Sequence, residues 1–222
     1  MIARVLPAFL LAAVAVGAAD PTSAPAPFAE RLEVAGVPNL GRVSPTLLRG
    51  GQPTEEGMRA LAGLGVAVVV DLRNDPDQFV AEKALAEELG MRAVHLPMHG
   101  WRTPRREEVE ELLALLCANR DRTVFVHCRR GAERTGVMLA AYRLAADGWS
   151  ADHALAEMKA YRFRALLFPH FSALVRSLAT GSGLVLCGLP PDEPSKPRNG
   201  GRSENDSAPP GGGACGAWVD RD

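Results

Sequence analysis

The sequence predicts a three-layer α/β domain, a central, mainly parallel sheet flanked by helices. Three observations carry that expectation. The runs VAVVVDL (66–72), MRAVHL (91–96) and TVFVH (123–127) read as strands, and segments of helical spacing separate them; strands alternating with helices build parallel sheets through crossover connections. The helical segments begin and end on capping residues. The chain of 222 residues is 47% hydrophobic, enough to fill one core and short of two full domains.

The elements follow in order. MIARVLPAFLLAAVAVGAAD opens with Arg4 before an apolar stretch that is too short to cross a membrane, and GAA precedes Asp20. This is the layout of an export signal over 1–19. The alternative is an uncleaved N-terminal anchor. DPTSAPAPFAE, rich in Pro, Ala and Ser, begins a linker over 20–36. The folded domain is expected over 37–180. VPNLGRVSPTLLRGGQP (37–53) suggests two short strands around a Ser-Pro turn. Thr54 caps a helix with Glu55 and Glu56 in its first turn, and 66–72 is apolar enough for a strand buried on both faces. Asp75 and Pro76 open a helix that Gly90 closes. After the 91–96 strand, Thr103 and Pro104 are expected to open an amphipathic helix, with Cys117 on its leucine stripe as a core residue. The strand 123–127 leads through a loop into a helix over 134–148, Ser150 caps the next, and 166–179 ends the helical part. From 181 to 222 the composition turns to Pro, Gly, Ser and charge, as in disordered tails.

Lys plus Arg number 25 and Asp plus Glu 26, a net charge of -1. That balance predicts neither a nucleic-acid partner nor a strongly charged membrane surface, so any basic site is local. The four cysteines, Cys117, Cys128, Cys187 and Cys215, lack zinc-ligand spacing. No disulfide is assigned to Cys117 or Cys128; Cys187 and Cys215, in or beside the tail, are the two that could pair after export. The exported protein is expected in the periplasm, with no stable membrane span once the signal is removed.

The chemistry concentrates in HCRRGAERTG (127–136), which leaves a strand and enters a helix. Such a loop aims successive backbone N–H groups into one concavity, and the helix terminus adds partial positive charge. That geometry suits a tetrahedral oxyanion. Gly131 allows the tight curl. Arg134 can grip two phosphate oxygens through its planar fork. Cys128, at the base, sits where a thiol is favoured as thiolate and can attack phosphorus in line. Positions Arg129, Arg130, Gly131, Ala132 and Glu133, with Gly136, form the candidate substrate-binding set, and Arg129 and Arg130 rim the mouth.

This loop resembles that of the cysteine-dependent protein tyrosine and dual-specificity phosphatases. RGGQPTEEGMRALAGLGVAVVVDLR (49–73), HLPMHGW (95–101) and AAYRLAADGWSADHALAEMKAYRF (140–163) extend the likeness to small exported bacterial dual-specificity phosphatases, over roughly 38–178. The resemblance implies hydrolysis of phosphomonoesters on a protein or phospholipid through a phosphocysteine, with no metal or cofactor. It implies Cys128 as nucleophile, Arg134 as clamp, Thr135 as the hydroxyl assisting thiolate departure, and His127 as the residue orienting the loop from beneath.

The departing oxygen needs a proton donor. The family supplies an Asp from a loop about 30 residues before the cysteine; here PMHGWRTPRREE (97–108) holds none. The candidates are His99, Glu107 and Glu108, then Asp71 and Glu133. A weak acid predicts better action on aryl than on alkyl phosphates. Three other readings stay open: a phosphoinositide or inositol polyphosphate phosphatase, a rhodanese-type sulfurtransferase, and a non-catalytic phospho-binding module.

Overall fold

The computed structural model describes residues 27–181 together with Leu184 and Cys187. The expected signal segment 1–19, the start of the linker and most of the expected tail, Cys215 included, lie outside the described residues.

The strands are β1 (Glu30–Arg31), β2 (Gly41–Ser44), β3 (Leu47–Gly51), β4 (Val66–Asp71), β5 (Arg92–His95) and β6 (Thr123–Cys128). They form one sheet in the order β1-β2-β3-β6-β4-β5. The β3-β6-β4-β5 part is parallel, and β1 and β2 add an antiparallel edge. The helices are α1 (Glu55–Gly63), α2 (Pro76–Glu88), α3 (Arg106–Ala118), α4 (Glu133–Ala146), α5 (Ala151–Ala160) and α6 (Pro169–Thr180). The fold is therefore the mainly parallel three-layer α/β architecture expected.

Alternation along the strands sends side chains to two cores. Leu48, Val69 and Phe125 pack with Met58, Leu61 and Ala86 beneath α1 and α2. Val68, Val70, Val124 and Val126 pack on the other face with Leu112 of α3, Val137 of α4, Leu155 of α5 and Phe171 of α6. Three of the expected caps form: Thr54 Oγ1 accepts the Gly57 N–H at 3.1 Å, Asp75 Oδ1 that of Gln78 at 3.1 Å, and Ser150 Oγ that of His153 at 3.2 Å. Among the described residues no helix is long and apolar enough to cross a membrane.

Three expectations are corrected. First, α3 starts at Arg106, not after Thr103. Glu108 reaches back to accept the Arg105 N–H at 2.7 Å, so the carboxylate of a capping box sets the boundary. Second, residues 27–36 are not linker. β1 pairs with β2, and Ala29 is buried, its N–H on Glu157 Oε2 at 2.8 Å and its carbonyl on the Tyr161 hydroxyl at 2.9 Å. Third, Cys117 forms a disulfide with Cys187. Cys117 is only half-buried, in the last turn of α3, within reach of the chain that follows α6.

That bond closes a stretch of 70 residues. Cross-linking a stretch of this length restricts the unfolded chain and stabilises the fold by about 2–4 kcal/mol. Urea unfolding of Cys117→Ser should show a midpoint lowered to match. Coincident curves for the variant and the oxidised wild type would show that the bond contributes nothing.

Candidate active site

β6 is central in the sheet and ends on the residues where the chemistry is expected. Parallel pairing sets Gly51 of β3 beside Cys128. Cys128 is a free thiol, only 2% exposed, at the base of the loop 129–132. Gly131 takes φ +67°, and a Cβ there would lie 2.4 Å from the Gly50 carbonyl carbon and 2.5 Å from the Gly51 nitrogen. Only glycine lets the loop curl this closely onto β3.

Arg134 lies in the first turn of α4, half-buried. Its Nη1 donates to the carbonyls of Leu72 at 3.2 Å and Met98 at 3.3 Å. Those bonds anchor the side chain at one corner. Its other nitrogens make no hydrogen bond among the described residues and can face an oxyanion. Thr135 is fully buried, and its hydroxyl has no partner among the described residues. An unsatisfied hydroxyl at such a depth marks a place where a further acceptor or donor belongs.

The rim matches the loop geometry. Arg129 and Arg130 are exposed, while Ala132 and Glu133 are buried. Glu133 accepts from Arg164 Nε at 2.7 Å and sits 3.5 Å from Arg130 Nη1. Gly136 corrects the expected binding set. Its N–H is taken by the Ala132 carbonyl at 2.9 Å within the helix, so it has no donor for a ligand. A methyl group there would meet Met158 at an ordinary 3.5 Å.

His127 points to the face opposite Cys128, stacked on Phe125 with ring centroids 5.4 Å apart. Its Nε2 meets Glu82 Oε1 at 2.8 Å. Arg73 Nη2 bridges the carboxylates of Glu82 and Asp71, each at 2.7 Å, and Arg73 Nε reaches both Asp71 oxygens. Burial works against the Arg73 charge, but the Asp71 hydrogen bonds and the Glu82 charge outweigh it and raise its pKa above the ordinary arginine value. Asp71, Glu82 and His127 bring ligand-type atoms within 4.8 Å of one another. The Arg73 guanidinium already supplies the positive charge between the two carboxylates.

The proton-donor candidates separate. Asp71 and Glu133 are held in ion pairs. Glu108 caps α3, and Glu107 is exposed beside it. The loop carrying His99 approaches Arg134: the Met98 carbonyl accepts from it, and a Cβ at Gly100 would lie 4.0 Å from its guanidinium carbon. His99 Nδ1 accepts the Trp101 N–H at 3.2 Å. His99 and Glu108 share a cavity of about 300 Å³ with Met98 and Arg102. Trp101, 66% exposed, stacks on Phe168 at 4.9 Å.

From the sequence, Arg49 and Gln52 in RGGQP are candidates to approach the pocket, with a turn at Gly50–Gly51 as the simpler account, while Asn39 and Glu82 are not singled out. Arg49 and Asn39 touch the back of the loop, and Glu82 touches His127. Asn39 and Glu82 carry no local signal, because each meets its partner through a contact distant in sequence.

Comparison with known proteins agrees with this geometry. The family model described as "DSP-PTPase phosphatase fused to NAD+ Kinase" matches residues 40–169. The dual specificity protein phosphatase TpbA of Pseudomonas aeruginosa is 36% identical over 159 residues, covering 72% of this chain and 70% of that protein. NAD kinase 2 of Arabidopsis thaliana is 30% identical over 100 residues, 43% of this chain and 10% of that protein. A crystal structure of a cysteine-to-serine variant of P. aeruginosa TpbA in complex with pTyr superposes with a TM-score of 0.59 at 31% identity, covering 69% of this chain and 94% of that one. A strand-to-helix loop built around a buried thiol, on this sheet and with these relatives, makes the chain a member of the DSP-PTPase family, a cysteine-dependent phosphatase of the dual-specificity type.

Proposed function

We propose that the protein hydrolyses phosphotyrosyl proteins through a phosphocysteine formed on Cys128. The observation that carries this reading is the free thiol of Cys128, buried at the end of β6 where the loop 129–132 leads into α4 and Arg134 stands in that helix's first turn. The Cys128 thiolate attacks phosphorus, the ester P–O bond breaks, and the tyrosine oxygen leaves with a proton. Water then attacks the phosphorus of the phosphocysteine, the S–P bond breaks, and inorganic phosphate departs. Arg134 pairs with two phosphoryl oxygens as charge builds on them. The Thr135 hydroxyl, without a partner among the described residues, can donate to the sulfur as it leaves. His127 steadies the end of β6 through its bond to Glu82 rather than by touching the substrate.

His99 is the titratable side chain of the approaching loop and the best placed of the donor candidates. It stands on an exposed loop, so protonation of the leaving group is weak. A well-placed general acid is worth about 10²–10⁴-fold, and alkyl esters need it most. An aryl phosphate should therefore turn over about a hundredfold faster than a phosphoserine peptide. The check is phosphate release from aryl, phosphoserine and inositol polyphosphate substrates, with chelator present. Equal aryl and alkyl rates would reject the weak-acid account. Fastest release from the inositol polyphosphate would favour the alternative reading, which the exposed Arg129 beside the mouth supports.

The same reading includes export to the periplasm. The N-terminal pattern supports it, and so does the Cys117–Cys187 disulfide, since such bonds persist in oxidising compartments.

A further inference from the structure

We propose that Asn39 and Arg49 are positioning residues of the phosphate cradle: from behind the loop they hold the carbonyls of Arg130 and Gly131 outward, so that the next amides face the substrate phosphate. The proposal rests on the catalytic reading of the loop and adds what keeps it competent.

A trans peptide plane sets each C=O opposite the following N–H. A loop that offers its amides to an anion must therefore turn its carbonyls the other way, and each of those needs a donor. The Arg129 carbonyl accepts the backbone N–H of Gln52 at 3.3 Å. The Arg130 carbonyl lies 3.5 Å from Asn39 Nδ2. The Gly131 carbonyl accepts from Asn39 Nδ2 at 2.9 Å and from Arg49 Nη2 at 3.2 Å. Three consecutive carbonyls are held from behind, and the amides of Arg130, Gly131 and Ala132 are directed the other way.

The weak point is Gly131. Glycine rotates its peptide planes more freely than any other residue. A flipped Gly131–Ala132 plane would aim a carbonyl dipole at the phosphate oxygens. That carbonyl is the one held by both side chains.

Both holders are themselves fixed. Asn39 sits at φ 55°, a left-handed conformation that asparagine tolerates. Arg31 donates to its Oδ1 at 3.3 Å, and its Nδ2 also reaches the Tyr161 carbonyl at 3.1 Å, so the amide has one orientation. Arg49 is fully buried, 3.4 Å from Glu157 Oε1 and 3.9 Å above the Tyr161 ring. Burial lowers its pKa to about 10, against the raising influence of Glu157, so it stays protonated at neutral pH. Arg49 pairs with Val126, so its side chain leaves the sheet on the same face as Cys128. A cation is thereby fixed under the dianion's seat.

The test uses Asn39→Asp, Asn39→Gly, Arg49→Lys and Arg49→Met in the full chain. The readings are kcat and KM on an aryl phosphate, the inhibition constant of inorganic phosphate, and the unfolding midpoint. Asn39→Asp replaces the donor with an acceptor facing two carbonyls. Asn39→Gly removes the side chain and keeps the backbone conformation. Both should weaken phosphate inhibition by about tenfold or more and lower kcat more than they raise KM. Asn39→Asp should be the worse of the two, and Arg49→Lys should retain more affinity than Arg49→Met.

Because Arg49→Met removes a buried charge and can unfold the protein, the Asn39 pair decides. Wild-type kcat and phosphate inhibition in both Asn39 variants would overturn the proposal. So would a lowered midpoint with unchanged phosphate inhibition, which is what a merely structural side chain gives. A wild type that neither turns over nor binds phosphate would overturn the catalytic reading and this proposal with it.

Discussion

Replacing Cys128 with serine should abolish phosphate release while leaving the fold and the affinity for a phosphate ester in place. The loss expected in kcat is about 10⁴-fold or more, because a serine hydroxyl in this position has no base to ionise it and is a poor nucleophile unaided. The anion-binding parts remain: the loop amides, Arg134 and the terminus of α4 do not depend on the sulfur. The variant should bind an aryl phosphate about as tightly as wild type and show no burst of released phenol. Steady-state release and equilibrium binding on the same preparation check both halves. A serine variant turning over within tenfold of wild type would remove Cys128 from the mechanism.

Arg134→Lys should be the second most damaging change, with kcat/KM down about 10²–10³-fold. The substitution keeps the charge, so simple electrostatics predicts little loss. Geometry predicts much more. Arginine keeps Nη1 on the Leu72 and Met98 carbonyls while its other N–H groups face the site. Lysine has one nitrogen and cannot do both. If it stays with the carbonyls, the phosphoryl oxygens lose their donors. If it turns to the phosphate, the loop 97–104 loses its tie to α4. Comparing Arg134→Lys with Arg134→Ala separates fork from charge: nearly equal losses mean the fork matters, and near-wild-type lysine activity means charge alone suffices.

The legible parts of this protein are those whose physics is local. The sheet was readable because Val66 and Val68–Val70 form an apolar run that only burial on both faces explains. The loop was readable because nucleophile, glycine and arginine sit within seven consecutive positions of one strand-to-helix turn. Contacts that span long stretches of chain were not readable. Asn39 and Arg49 meet Gly131 across 92 and 82 residues. Cys117 read as a core residue because it follows a leucine stripe, and nothing near it announces Cys187. At Arg105 the capping carboxylate lies inside the helix, so the threonine before the proline looked like the better start. Gly136 fitted the motif, yet its amide belongs to the helix ladder.

The contact between Gly131 and the backbone of Gly50 and Gly51 has a consequence for ancestry and engineering. Gly50 is itself hemmed in, since a Cβ there would sit 2.8 Å from the Phe125 ring. Two stretches some eighty positions apart are therefore obliged to change together or not at all. Grafting residues 127–136 onto a foreign scaffold would transfer the reactive sulfur and its guanidinium but leave behind the rear wall against which they are moulded. The smallest heritable unit of this catalyst is a pair of segments, not a motif.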